Sequence, residues 1–182
     1  WTMLLEWLRG LLRLLGLWKK DATILLLGLD NAGKSTLLHK LCSNELRPFV
    51  PTTKAHSKTF SLGNIKFTAW DLGGHEQVRD LWEEYYSGAD AIVFMVDSAD
   101  RSRFGEAKKE IQQILAVEDI AEVPILVLGN KIDLEGSIDK DQLADELGLD
   151  DLEKDREVEV FSCSLVSGAG YYDGFKWLSQ KF

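Results

Sequence analysis

The stretch Gly28-Leu29-Asp30-Asn31-Ala32-Gly33-Lys34-Ser35-Thr36 constrains this chain more than any other. It follows an apolar run, residues 22–27, and precedes a helical pattern carried by Leu37, Leu38 and Leu41. Gly28, Gly33, Lys34 and Ser35 spell G-x-x-x-x-G-K-[ST], a loop that holds phosphate between a strand and a helix. Its glycines let the backbone fold back, so that N–H groups from Asp30, Asn31, Ala32, Gly33, Lys34, Ser35 and Thr36 can point inward at an anion. The start of the following helix adds the positive end of its dipole. Lys34 brings a mobile positive charge to the β- and γ-phosphates of a nucleotide, and the Ser35 hydroxyl can ligate Mg²⁺.

The chain of 182 residues fits one domain with a real core, preceded by a segment of different composition. Residues 1–20 read as an amphipathic membrane-binding helix and residues 21–182 as the nucleotide-binding domain. A formal net charge of −9 argues against a broad basic surface for nucleic acid. Cys42 and Cys163 lie far apart, without a C-x-x-C or Cys/His spacing, so neither a zinc site nor a disulfide framework is indicated.

In residues 1–18 the polar and small residues Thr2, Glu6, Arg9, Arg13 and Gly16 recur at steps of four and three. That spacing lines them along one stripe of a helix whose remaining surface, Gly10 apart, is Leu, Met and Trp. The stretch is shorter than the roughly 20 apolar residues a span needs and carries charges within it. Its Lys19-Lys20 pair comes after the apolar part, whereas a signal peptide places its charges before it. A helix lying in the membrane interface fits best, with Lys19 and Lys20 meeting anionic headgroups; a core helix is the alternative.

The rest of the pattern alternates strands with helices. Strands are expected over 22–28, 55–62, 65–71, 91–96, 123–128 and 158–161, and helices over 34–43, 78–87, 101–117, 139–147 and 171–181. This is an α/β chain with a mostly parallel sheet covered on both faces. Gly63-Asn64 between two adjacent strands signals a hairpin.

Four further stretches fall at strand ends, where open α/β sheets bind ligands. In Asp71-Leu72-Gly73-Gly74 the carboxylate can hold the shell of a Mg²⁺ ion, and Gly74 can bring its N–H against a γ-phosphate. Thr52, in Val50-Pro51-Thr52-Thr53, can offer a hydroxyl to the same ion. In Asn130-Lys131-Ile132-Asp133 the Asp133 carboxylate can accept from guanine N1–H and N2–H₂, which adenine does not present. Asn130 can bond the ring elsewhere or tie loops together, and the Lys131 stem can cover its face. In Ser162-Cys163-Ser164-Leu165, backbone N–H groups of Ser164 and Leu165 can meet guanine O6. Taken one at a time, each is an ordinary turn, loop threonine, helix cap or surface stretch.

Together with GLDNAGKSTLLH, WDLGGHEQ, VFSCS and GFKWLSQ, these stretches resemble the small GTPases of the Arf/Sar branch of the Ras-like superfamily. His75 after DLGG, where Arf-type proteins carry Gln, makes the chain most similar to the Sar type, which initiates the COPII vesicle coat. The resemblance implies a P-loop NTPase G domain with roughly six strands, one of them antiparallel. It implies slow GTP hydrolysis to GDP with Mg²⁺, His75 orienting the attacking water, and an arginine supplied by a GAP, since Arg79 reads equally well as a surface residue. Its implied partners are endoplasmic-reticulum lipids through residues 1–18, the COPII inner coat with its GAP subunit, and a membrane-bound guanine nucleotide exchange factor. Its implied place is the cytosolic face of the endoplasmic reticulum and Golgi. Two stretches depart from the Sar pattern: residues 53–59 lack the usual H-P-T-S-E-E-L, and residues 147–160 are short, as in Arf-type chains. A divergent Sar protein and an Arf-like relative therefore both fit. So do, as outside readings, a GTP-holding scaffold with little turnover and, against the NKID stretch, a P-loop ATPase or kinase.

Overall fold

The computed structural model describes residues 20–43, 55–150, 152 and 156–182. The expected helix over residues 1–18 and Thr52 lie outside these described residues. The six-stranded sheet has the order β2-β3-β1-β4-β5-β6. Its strands are β1 (Lys20–Gly28), β2 (His56–Leu62), β3 (Ile65–Asp71), β4 (Ala91–Asp97), β5 (Ile125–Asn130) and β6 (Val158–Ser162). All pairings are parallel except β2 with β3, which closes through Gly63-Asn64 from Leu62 opposite Ile65.

The apolar runs of β4 and β5 are buried throughout, apart from the half-buried Asp97 that ends β4. Continuous apolar sequence is what a parallel strand covered on both faces requires. Alternation along β1 then sorts the core into two layers. Ile24 and Leu26 join Leu37, Phe175 and Leu178, from helices α1 (Lys34–Ser43) and α6 (Tyr171–Ser179). Leu25 and Leu27 join Phe104, Ile111 and Leu143, from helices α4 (Phe104–Leu115) and α5 (Lys140–Leu147) on the other face.

One expected element is different. Instead of a single helix over 78–87, two single turns form, α2 (Glu76–Arg79) and α3 (Glu83–Tyr86). Side chains at the break reach back to the turn after β3. Arg79 Nε donates to the Gly74 carbonyl at 2.8 Å and Trp82 Nε1 to the Gly73 carbonyl at 3.0 Å. The expected helix over 101–117 starts as a 3₁₀ turn over Arg101–Arg103 before α4, and the expected 139–147 helix uses Asp139 as its cap. Asp139 Oδ1 accepts from the Gln142 N–H while the Gln142 side chain returns to the Asp139 N–H, a capping box. Among the described residues no helix is long and apolar enough to cross a membrane.

Candidate nucleotide-binding site

Because β1, β3, β4, β5 and β6 run parallel, their carboxyl ends share one edge of the sheet, and the motif loops leave from it. Asp30 to Ser35 follow β1, Asp71 to His75 follow β3, Asn130 to Asp133 follow β5, and Ser162 to Leu165 follow β6. Four stretches far apart in sequence are brought to one place by topology alone.

The loop after β1 has the curvature its glycines permit. Gly33 has φ +108°, and a Cβ there would lie 2.5 Å from Asn130 Nδ2. Asn31 also takes a positive φ, 63°, which asparagine tolerates better than most residues. Lys34 is buried, its ammonium donating to the carbonyls of Gly28 and Leu29 at 2.8 Å each. Burial pushes its pKa down to about 8, against the pull of the Asp71 and Asp30 carboxylates. Ser35 and Thr36 occupy the first turn of α1, and Leu37 N–H closes onto the Gly33 carbonyl at 2.8 Å. The Ser35 hydroxyl donates to Asp71 Oδ2 at 2.5 Å, so two of the three expected Mg²⁺ ligands meet, from different strand ends.

The turn after β3 is seated on this loop. The Gly74 carbonyl accepts from the Asp30 N–H at 3.2 Å. A Cβ on Gly74 would lie 2.3 Å from Asp30 N and 2.6 Å from Lys34 Nζ, so only glycine fits. His75 is exposed at the next position. For Asp30 itself, burial acts to raise the pKa, but the hydrogen bond and charge of Arg103 outweigh it and hold the carboxyl below its usual value.

On the far side, Asn130 is buried and bonded at both ends of its amide. Its Nδ2 donates to the Ala32 carbonyl at 2.9 Å, and its Oδ1 accepts from the Leu165 N–H at 3.2 Å. This one side chain ties the phosphate loop to the loop after β6. Lys131 takes φ 70° and its ammonium pairs with Asp97 Oδ2 at 2.6 Å. Asp133 accepts from the Ser164 hydroxyl. Asp133 lies in a turn here, not at a helix start. The Ser164 N–H is taken by the Ala169 carbonyl at 3.0 Å and the Leu165 N–H by Asn130 Oδ1, so both N–H groups expected at guanine O6 are engaged within the protein and Ser164 enters the site by its hydroxyl.

Four residues of this region escaped the motif reading. Arg79 is buried rather than superficial, and Arg103, Glu106 and Glu110 on or beside α4 form ion pairs around it. Their only sequence signal is the Arg103-x-x-Glu106-x-x-x-Glu110 spacing, which looks like an ordinary solvated helix face.

A family model described as the ADP-ribosylation factor family matches residues 8–182. The chain belongs to that family. It is accordingly a small GTPase, an enzyme of GTP hydrolysis. Among its relatives, the small COPII coat GTPase SAR1 of Giardia intestinalis is 43% identical, over 96% of this chain and 97% of the relative. ADP-ribosylation factor K of Dictyostelium discoideum is 41% identical, over 89% of this chain and 86% of the relative. Among solved structures, the Arl6 BBS3 small GTPase from Trypanosoma brucei, with the bound nucleotide analogue GppNp, superposes with a TM-score of 0.81. It is 34% identical, and the match covers 88% of this chain and 96% of that one.

Proposed function

We propose that this GTPase is a membrane switch of the Sar type, which senses the third phosphate of GTP and, when GTP is bound, docks its amino-terminal segment on the endoplasmic-reticulum membrane to recruit the COPII coat. The observation that carries the nucleotide half is the Asn130 bridge. It holds the loop that reads a base at a fixed distance from the loop that holds phosphates.

In this reading Asp133 accepts from guanine N1–H and N2–H₂, with Ser164 orienting the carboxylate and the Lys131 stem covering the ring. The N–H groups of Asn31 to Thr36 surround the phosphates, joined by the Asp30 N–H once the Gly74 carbonyl leaves it, Lys34 bridges β and γ, and the Gly74 N–H reaches γ. Ser35 and Asp71 present hard oxygen donors at bonding distance of each other, a set that suits Mg²⁺, with Thr52 as the third ligand. The ion supplies charge that stabilises the oxygens of the transferring phosphoryl group. His75 orients a water, which attacks the γ-phosphorus as the bond to the β-phosphate oxygen breaks; the water's proton goes to the phosphate itself.

Coupling to the membrane needs about 5.5 kcal/mol of differential binding to move a two-state element from mostly off to mostly on. Charge-assisted bonds to the γ-phosphate contribute about 1.5–3 kcal/mol each, so those from Lys34 and Gly74, with Thr52 through Mg²⁺, reach that sum. The β2–β3 hairpin is the element that can carry it. A slip of two residues keeps every inward side chain facing inward. The Lys20 N–H, where residues 1–19 join β1, donates to the Asn64 carbonyl in the hairpin turn at 2.9 Å. A sliding hairpin is therefore felt first where the apolar segment enters the domain.

The Sar assignment is supported by SAR1 relatives in Giardia intestinalis and Nicotiana tabacum, 43% and 42% identical and aligned over nearly their whole length. The Dictyostelium discoideum ADP-ribosylation factors favour an Arf-like role in another trafficking step as the second reading. Further partners of the Sar reading are the GAP subunit of the coat and a membrane-bound exchange factor. Hydrolysis and specificity are tested together by single-turnover phosphate release with GTP/Mg²⁺ and with ATP/Mg²⁺. GTP is expected to be hydrolysed slowly and ATP not bound. A His75→Gly protein is expected to keep GTP and hydrolyse it more slowly; unchanged turnover in that variant would contradict the role of His75.

A further inference from the structure

The ionic group beside the site, in which Arg79 is buried while Asp30, Arg103 and Glu106 are half-buried, has no part in the reaction described above, yet it holds both sides of one contact. That contact is the bond from the Asp30 N–H to the Gly74 carbonyl. On the Gly74 side, Arg79 Nε donates to the same carbonyl at 2.8 Å. Its two terminal nitrogens go to Glu106 Oε1 at 2.6 Å and Glu110 Oε1 at 3.0 Å. On the Asp30 side, Arg103 donates to the Asp30 carbonyl at 3.2 Å and to its carboxylate at 2.9 Å. The Arg103 Nε returns to Glu106 Oε2 at 2.8 Å. One carboxylate, Glu106, thus joins the two guanidiniums through its two oxygens, and a closed ring of bonds runs Asp30–Arg103–Glu106–Arg79–Gly74–Asp30.

We propose that this ring is a latch: Glu106, with Arg79 and Arg103 as positioning residues, keeps the DLGG turn seated on the phosphate loop and so biases the protein toward GDP over GTP. The inference rests on the GTP reading of the site. Gly74 is packed against Asp30 N and the Lys34 ammonium so closely that even a methyl group has no room, as the 2.3 and 2.6 Å distances show. A third phosphate must approach that same ammonium, so the turn has to lift before the phosphate can be held. Lifting breaks the Asp30–Gly74 bond. It also makes Arg79 either follow the turn, leaving Glu106 and Glu110, or stay and release the carbonyl. Arg79 is only 7% exposed, and a buried guanidinium that loses partners is costly, which makes the seated position a distinct state rather than one of many. GDP, with no third phosphate, leaves the ring undisturbed.

The test is a ratio of affinities measured on the full chain. Dissociation constants for fluorescent GDP and for a fluorescent non-hydrolysable GTP analogue, with Mg²⁺, are determined for the wild type and for Glu106→Gln. The amide keeps the size of the side chain but cannot accept from two guanidiniums as a charge. The latch predicts that preference moves toward the triphosphate by about tenfold, the effect of losing one charge-assisted bond. Simple loosening of the fold weakens both nucleotides alike and leaves the ratio where it was. An unchanged ratio, or a shift toward GDP, overturns the latch. Arg103→Gln cuts the ring on its more exposed side and must move the ratio in the same direction; it also serves if Glu106→Gln does not fold. A wild type that binds neither nucleotide overturns the site reading and the latch together, whereas one that binds both with no change of ratio in the variants overturns the latch alone.

Discussion

At the residue scale, the proposed recognition of guanine divides its work between Asp133 and Asn130. Asn130 has every amide atom used inside the protein, so it sets distances. Asp133 has one oxygen held by Ser164 and is the residue left to read a base. Two hydrogen bonds from guanine to a carboxylate are together worth about 3–6 kcal/mol. Asp133→Ala is therefore expected to weaken GDP by about 10²- to 10⁴-fold while leaving thermal stability without nucleotide little changed, by fluorescence titration and a melting curve. These residues were legible in the sequence because their types and spacing are fixed by the ligand's own geometry. Arg79 was not, because its partner Glu106 lies 27 residues away and only the packing of α4 against the broken 76–86 segment brings them together.

At the scale of elements, the sheet and its helices follow from apolar patterning, and the one element that departs does so for a local reason. The residues 78–87 carry helical periodicity, but the segment breaks between Arg79 and Glu83, where the Arg79 and Trp82 side chains bond the Gly74 and Gly73 carbonyls. Periodicity sees the residues on a helix and not the carbonyls they reach. The same ionic ring has a consequence in acid. The hydrogen bond from Arg103, with that from Arg79, holds the Glu106 carboxyl down at about 2, against an ordinary value of 4.5. A carboxyl depressed in the folded state stabilises the fold above its unfolded pKa, and that stability is lost as pH falls through the folded one. The stability of the wild type to denaturant is thus expected to fall between pH 4.5 and 2, in part through Glu106. The difference between the wild type and Glu106→Gln is expected to be constant above pH 5 or so and to shrink below it; a difference that does not change with pH would mean the ring contributes no charge-dependent stability.

Across the whole molecule, one sheet edge collects the groups proposed to read base and phosphate, while the β2–β3 hairpin crosses from that edge to the place where residues 1–19 enter. Thr52 and the amino-terminal segment, which the sequence marks as ligand and membrane anchor, lie outside the described residues, and the account of the switch joins them to the site through the hairpin. The SAR1 and ADP-ribosylation-factor relatives, at 43% and 41% identity, support the two readings of the proposed trafficking step almost equally. The proposed dependence of membrane binding on the nucleotide is measured most directly by flotation of the full chain with liposomes containing anionic lipid, after loading with GDP or with a non-hydrolysable GTP analogue. The account predicts that the protein floats with the analogue and stays at the bottom of the gradient with GDP. Equal flotation in the two states would contradict it.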